Sequence, residues 1–131
     1  MDKVAMAVTV DCGAGEVETV ASFWAAALGY RQVLPGYLVD PDGLRPRLSF
    51  EVVPERKTVK NRWHLDLYVD DLDALQAKVD ELVRLGATEG RHFDEPVHGY
   101  TDVFTTMLDP VGNEFCVCAP HVRVDSGEAL E

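Results

Sequence analysis

Positive charge is scarce in this chain. Twelve lysines and arginines stand against 23 aspartates and glutamates, for a formal net charge of −11. A surface of that sign repels phosphate backbones and anionic headgroups, so neither nucleic acid nor a membrane is an expected partner. Cysteine is sparse as well. Cys12, Cys116 and Cys118 are odd in number, and Cys116 and Cys118 have no matching pair elsewhere. That excludes a disulfide framework and a structural zinc site with two ligand pairs, and leaves reduced thiols. No apolar run is long enough to cross a bilayer, and Val4 to Val8 is too short for a signal-peptide core. A cytoplasmic location is expected. The sequence holds no glycine-rich phosphate loop, no Gly-x-Ser-x-Gly and no His-Glu-x-x-His.

What is present is ordinary globular material. Apolar residues are 47% and charged residues 27% of 131, a length that suits one domain over residues 1–131. The excess of acid would attract a cationic small ligand, but a solvated acidic surface is the more ordinary reason for such a charge.

Two halves share one order of elements. Residues 4–12 read as a strand, and Glu16 to Leu28 as a helix with Val17, Val20, Ala21, Trp24 and Leu28 on one face. Gly29 ends that helix. Short strands follow near 30–34, 37–39 and 46–53, with Asp40-Pro41-Asp42-Gly43 as a turn before the last. In the second half Trp63 to Val69 alternates as a strand, and Asp71 to Leu85 is helical, with Leu72, Leu75, Val79, Leu82 and Val83 on its apolar face. Asp70 or Asp71 suits its N-cap, and Gly86 ends it. Strands near 88–93, 101–107 and 113–119 come next, the last preceded by Asp109-Pro110-Val111-Gly112. The pattern is β-α-β-β-β twice: an α+β fold with modules at about 4–53 and 62–119, joined through a charged link at Pro54 to Lys60. The polar tail, 120–131, is expected to fray, and Leu130-Glu131 has the look of a cloning remnant.

Three segments carry a resemblance. They are Ser22 to Gly29 (Ser-Phe-Trp-Ala-Ala-Ala-Leu-Gly), Lys60 to Asp71 (Lys-Asn-Arg-Trp-His-Leu-Asp-Leu-Tyr-Val-Asp-Asp) and Asp109 to Val117 (Asp-Pro-Val-Gly-Asn-Glu-Phe-Cys-Val). With the doubled element order they resemble the vicinal oxygen chelate superfamily, which includes glyoxalase I, extradiol dioxygenases and bleomycin-resistance proteins. The nearest likeness is to its glyoxalase-like branch common in actinobacteria. The resemblance implies two tandem βαβββ modules whose sheets curve into an open, cup-shaped mixed barrel, helices outside and ligand within. It also implies a divalent metal in some members, held by a His or Gln, a Glu, a His and a Glu, and otherwise no cofactor.

Strand alternation then sorts the candidates. His64 matches the family's strand histidine. His64, Asp66 and Tyr68 face the cup, and Leu65, Leu67 and Val69 face the helix. In the last strand the family's glutamate position is Cys116, while Glu114 sits two residues earlier on the same face as Cys116 and Cys118. In the first module Ser49 and Glu51 share a face, and Thr9 and Asp11 are the polar residues of a first strand that lacks His or Gln. His64, Glu114 and Glu51 are therefore the candidate catalytic residues, and the candidate metal ligands if Asp11 completes the set. Asp11, Ser49, Asp66, Tyr68 and Cys116 are the candidate substrate contacts. Trp63 is expected to pack against the helix or at the rim, and Trp24 in the core. Arg91 to Tyr100 is expected to be a polar loop near the ligand, with His92 and His98 solvated. Cys116 lacks a sequence-adjacent base that would make it a nucleophile.

Two functions follow from the resemblance. One is a glyoxalase-like lyase or isomerase acting on a small oxygenated metabolite, distinct from standard glyoxalase I. The other is a metal-free protein of the bleomycin-resistance type that sequesters a cationic ligand. A homodimer is expected in either case, since open sheet edges need cover.

Overall fold

The computed structural model describes residues 3–130, so the readings that touch Met1, Asp2 and Glu131 lie outside the described residues. The chain divides into two compact units, residues 1–59 and 60–131, with the division inside the charged link. The first unit runs β1 (Ala7–Cys12), α1 (Val17–Leu28), β2 (Arg31–Leu34), β3 (Tyr37–Val39) and β4 (Arg47–Val52). The second runs β5 (Leu65–Tyr68), α2 (Ala74–Arg84), β6 (Thr88–Asp94), β7 (Val103–Leu108) and β8 (Glu114–Cys118). The sheet orders are β1-β4-β3-β2 and β5-β8-β7-β6. In each, the first and last strands are parallel and the other pairings antiparallel. The α+β architecture of two tandem modules is thus the one expected.

The two Asp-Pro-x-Gly turns are one device used twice. Asp40 accepts the backbone N–H groups of Asp42, Leu44 and Arg45, at 3.0, 3.2 and 2.9 Å. Asp109 accepts those of Val111 and Asn113 at 3.0 and 2.9 Å, and the Asn113 side-chain amide at 2.9 Å. Both aspartates are buried. Gly43 and Gly112 take φ of 68° and 93°, the left-handed region where a Cβ is disfavoured. Each turn sets the start of the last strand of its module.

Each helix covers one face of its sheet. Val20, Ala21, Phe23, Trp24 and Ala27 of α1 are buried with Leu38, Leu48 and Phe50, and the Phe23 and Trp24 rings meet edge to face at 5.2 Å. Leu75, Val79 and Leu82 of α2 are buried, as are Met107, Phe115 and Val117 of their sheet. A fully buried side chain of this size contributes about 1.5–3 kcal/mol.

Several local expectations are corrected. The second helix begins at Ala74, because Asp71 Oδ1 accepts the Ala74 N–H at 2.9 Å and holds residues 71–73 as a turn, which leaves Leu72 exposed. Val83 is also exposed, off the buried face. β5 begins at Leu65, after a bend at Arg62 and Trp63, so Trp63 does not pack: it is 89% exposed. Arg91 to Asp94 belong to β6 rather than to a loop. A register shift between Glu89 and His92 absorbs Gly90, whose place leaves no room for a Cβ: one there would lie 2.5 Å from Thr106 Oγ1. The tail does not fray within the described residues. Thr101 N–H bonds to Val122 O at 2.8 Å, Val124 N–H to Gly99 O at 2.9 Å, and Leu130 N–H to His121 O at 2.9 Å.

Candidate functional site

The site is built on the parallel pair β5–β8. Leu65 pairs with Phe115, Asp66 with Cys116, Leu67 with Val117 and Tyr68 with Cys118. Leu65 and Leu67 are half-buried where Asp66 and Tyr68 are exposed, and alternation carries that division to their register partners, with Phe115 and Val117 on one side and Cys116 and Cys118, also buried, on the other. His64 stands one residue before the strand and joins the same group.

Its Nδ1 lies 2.9 Å from Asp66 Oδ1. A carboxylate only accepts, so Nδ1–H donates, and in the neutral ring Nε2 is a lone pair. Both side chains are about two-fifths exposed. The Cys116 thiol donates to the same carboxylate. One donor atom from each of His64, Asp66 and Cys116 lies within 4.8 Å of the others. Burial first, and the Asp66 charge second, push the Cys116 thiol up to about 11. Burial, Asp66 and Cys116 push Cys118 up to about 12. Neither is a thiolate near neutrality, so neither is an activated nucleophile.

Tyr68 completes the row. Burial raises its phenol above the ordinary value, and Cys118 and Asp66 add to the effect. Its hydroxyl lies 3.0 Å from His121 Nε2, and His121 Nδ1 lies 2.8 Å from Thr101 O. His121 escaped the sequence reading because it belongs to a polar tail without periodicity. Only its return to the sheet in three dimensions places it here.

The other candidates fall elsewhere. Glu114 Oε2 accepts the Asn61 N–H at 2.8 Å, which fastens the segment leading to His64. In the first unit Asp11 and Glu51 are register partners on β1 and β4, both exposed. Thr9 and Ser49 are partners too, with their hydroxyls 3.1 Å apart. His92 Nδ1 lies 3.0 Å from the Oγ1 of buried Thr105, so His92 has a structural partner rather than only solvent.

The expected metal can be tested against these donors. Of His64, Glu51 and Glu114, only His64 belongs to the convergent group among the described residues. An imidazole, a carboxylate and a thiol are a mixed set. Mn(II) and Mg(II) prefer oxygen ligands, and thiolate suits softer ions. Here the Asp66 carboxylate accepts from His64 Nδ1–H and from the Cys116 thiol. As a mixed set the group suits a hard, oxygen-seeking divalent ion poorly and matches a softer ion such as Zn(II) better.

Comparison with known proteins agrees with this architecture. The sequence profile described as a glyoxalase-like domain matches residues 7–118. No curated protein matches by sequence. Among solved structures, a glyoxalase-related enzyme from Fulvimarina pelagi superposes with a TM-score of 0.65 at 18% identity, covering 100% of this chain and 99% of that one. Lactoylglutathione lyase from Agrobacterium tumefaciens gives 0.57 at 17% identity, covering 91% and 96%. A variant of the fosfomycin resistance protein FosX from Listeria monocytogenes, complexed with Mn(II) and 1S,2S-dihydroxypropylphosphonic acid, gives 0.69 at 9% identity, covering 91% and 93%. At these identities the likeness is one of fold.

Proposed function

The chain belongs to the glyoxalase-like domain family, and we propose that it binds a small oxygenated metabolite on the sheet face of its second module and moves a proton on it, as a lyase or isomerase. The observation that carries this reading is the His64–Asp66 pair. Asp66 fixes the imidazole in one tautomer and stabilises the imidazolium that forms when Nε2 takes a proton. The substrate class is a small molecule with oxygens on neighbouring carbons, such as an α-hydroxycarbonyl compound. The proton to be moved is the one on the carbon beside the carbonyl. Glu114 serves by holding Asn61, and through it the approach of the chain to His64. Asp11, Ser49 and Glu51 are the polar residues that the first module carries on its own sheet. The cytoplasm is the location proposed, and a homodimer the assembly.

A second reading rests on the net charge of −11. It makes the protein a metal-free sequestering protein for a cationic ligand.

A thermal-shift screen separates the two. We expect dihydroxyacetone, glyceraldehyde or lactaldehyde to raise Tm at millimolar concentration, and His64→Ala to abolish the shift. A shift given only by cationic compounds, and kept in His64→Ala, would overturn the first reading in favour of the second. The glutathione hemithioacetal of methylglyoxal is not expected to turn over, because Cys116 stands where glyoxalase I would need a carboxylate.

A further inference from the structure

Beside the His64–Asp66 pair stands a second hydrogen-bonded chain that no part of the mechanism above uses. It runs from the exposed hydroxyl of Tyr68 to His121 Nε2 at 3.0 Å. From His121 Nδ1 it continues to Thr101 O at 2.8 Å, with Asp102 Oδ1 at 3.8 Å. The Tyr68 and His121 rings also meet edge to face at 5.6 Å. The directions in this chain are determined. A carbonyl oxygen only accepts, so His121 Nδ1 carries the hydrogen. In the neutral ring Nε2 is then a lone pair, and the Tyr68 hydroxyl must donate to it. The lone pairs of the Tyr68 oxygen are left for a ligand. Asp102 stands where it offsets the charge of a protonated His121.

From this geometry we infer that Tyr68, His121 and Asp102 form a proton relay serving the same face as His64, with Tyr68 as a catalytic residue and His121 and Asp102 as positioning residues. This rests on the proton-transfer reading and extends it from carbon to oxygen. Isomerising an α-hydroxycarbonyl compound moves a proton between carbons and another between the neighbouring oxygens. His64 handles the carbon-bound proton. For the other, the ligand O–H bond breaks and its proton bonds to Tyr68 Oη. In the same movement the Tyr68 O–H bond breaks and that proton bonds to His121 Nε2. The electron pair stays on the ligand oxygen and becomes part of the new carbonyl group. Run backwards, the relay protonates the neighbouring oxygen. No electron is gained or lost, and no co-reactant is needed.

The test has a structural and a kinetic arm, both on the intact chain. Nitrogen-15 NMR of the histidine side chains should show His121 as the Nδ1–H tautomer, with its Nε2 resonance moved by Tyr68→Phe and those of His92 and His98 unmoved. An Nε2–H tautomer at His121 would overturn the relay. In the kinetic arm, the isomerisation of glyceraldehyde and dihydroxyacetone is followed by proton NMR. Tyr68→Phe and His121→Ala should each lower kcat at least tenfold with KM within about twofold, and free imidazole should restore part of the His121→Ala rate. Full activity in Tyr68→Phe with activity lost in His64→Ala would overturn the relay alone and leave the proposed function standing. Absence of turnover in the wild-type protein would overturn both.

Discussion

The Cys116 thiol and the Asp66 carboxylate constrain each other, and the consequence can be measured. Both Cys116 and Cys118 keep their protons in the folded chain, up to about 11 and about 12, where an ordinary thiol loses its proton near 9.0. The unfolded chain therefore releases these protons first as pH rises. Their contribution to stability is complete below about pH 9 and is lost between there and pH 12. We expect Tm to fall over that interval, and to fall less in the double variant Cys116→Ser, Cys118→Ser; an unchanged pH profile in that variant would contradict the assignment. Asp66→Asn removes the charge that opposes the Cys116 thiolate. Alkylation of Cys116 by iodoacetamide at pH 8 should then speed up, by about tenfold for each unit its pKa falls. At this scale the candidate residues of the second module were legible, because strand alternation is strict: His64, Asp66, Tyr68 and Cys116 do share a face. Glu114 was legible as a position but not as a role, since its partner is a backbone N–H of Asn61, a residue 53 positions away. His121 was not legible at all, because nothing local to a polar tail says that it returns to Tyr68.

Among the elements, the two modules show which signals survive folding. Helix stops and Asp-Pro-x-Gly turns were readable because each depends on a few adjacent residues. The start of α2, the start of β5 and the course of β6 were misjudged where side chains compete with the backbone or where a bulge intervenes. Asp71 holds the turn that delays α2. Gly90 permits the irregularity in β6, and a methyl group there would meet Thr106 Oγ1 at 2.5 Å and Thr106 O at 2.8 Å. Gly90→Ala should accordingly cost about 1–3 kcal/mol, the usual range for overpacking, as read from urea unfolding. Adding Thr106→Ala should recover only part of the loss, because the backbone oxygen remains; full recovery would show that the hydroxyl alone sets the constraint. Asp109→Ala leaves two N–H groups and the Asn113 amide without their acceptor, and should cost about 1–3 kcal/mol.

The whole molecule joins a repeated module to an asymmetric use of it. Both units repeat one sheet order, yet the first carries Asp11, Ser49 and Glu51 on its strands, and the second carries His64, Asp66, Tyr68, Cys116 and Cys118 on or beside its own. Acidic overall, the protein has its titratable hydrogen-bonded chain concentrated in residues 64–121. As an assembly we expect a homodimer, and light scattering at micromolar concentration should return twice 14.5 kDa; a value near 14.5 kDa would refute it. The measurement that tests the central claim most directly is solvent deuterium incorporation. Wild-type protein in D2O with dihydroxyacetone, glyceraldehyde or lactaldehyde should exchange the hydrogen beside the carbonyl faster than buffer alone. His64→Ala should lose about 10²–10⁴-fold of that rate, the usual contribution of a positioned acid–base group. Exchange no faster than buffer in the wild type, or undiminished in His64→Ala, would contradict the account.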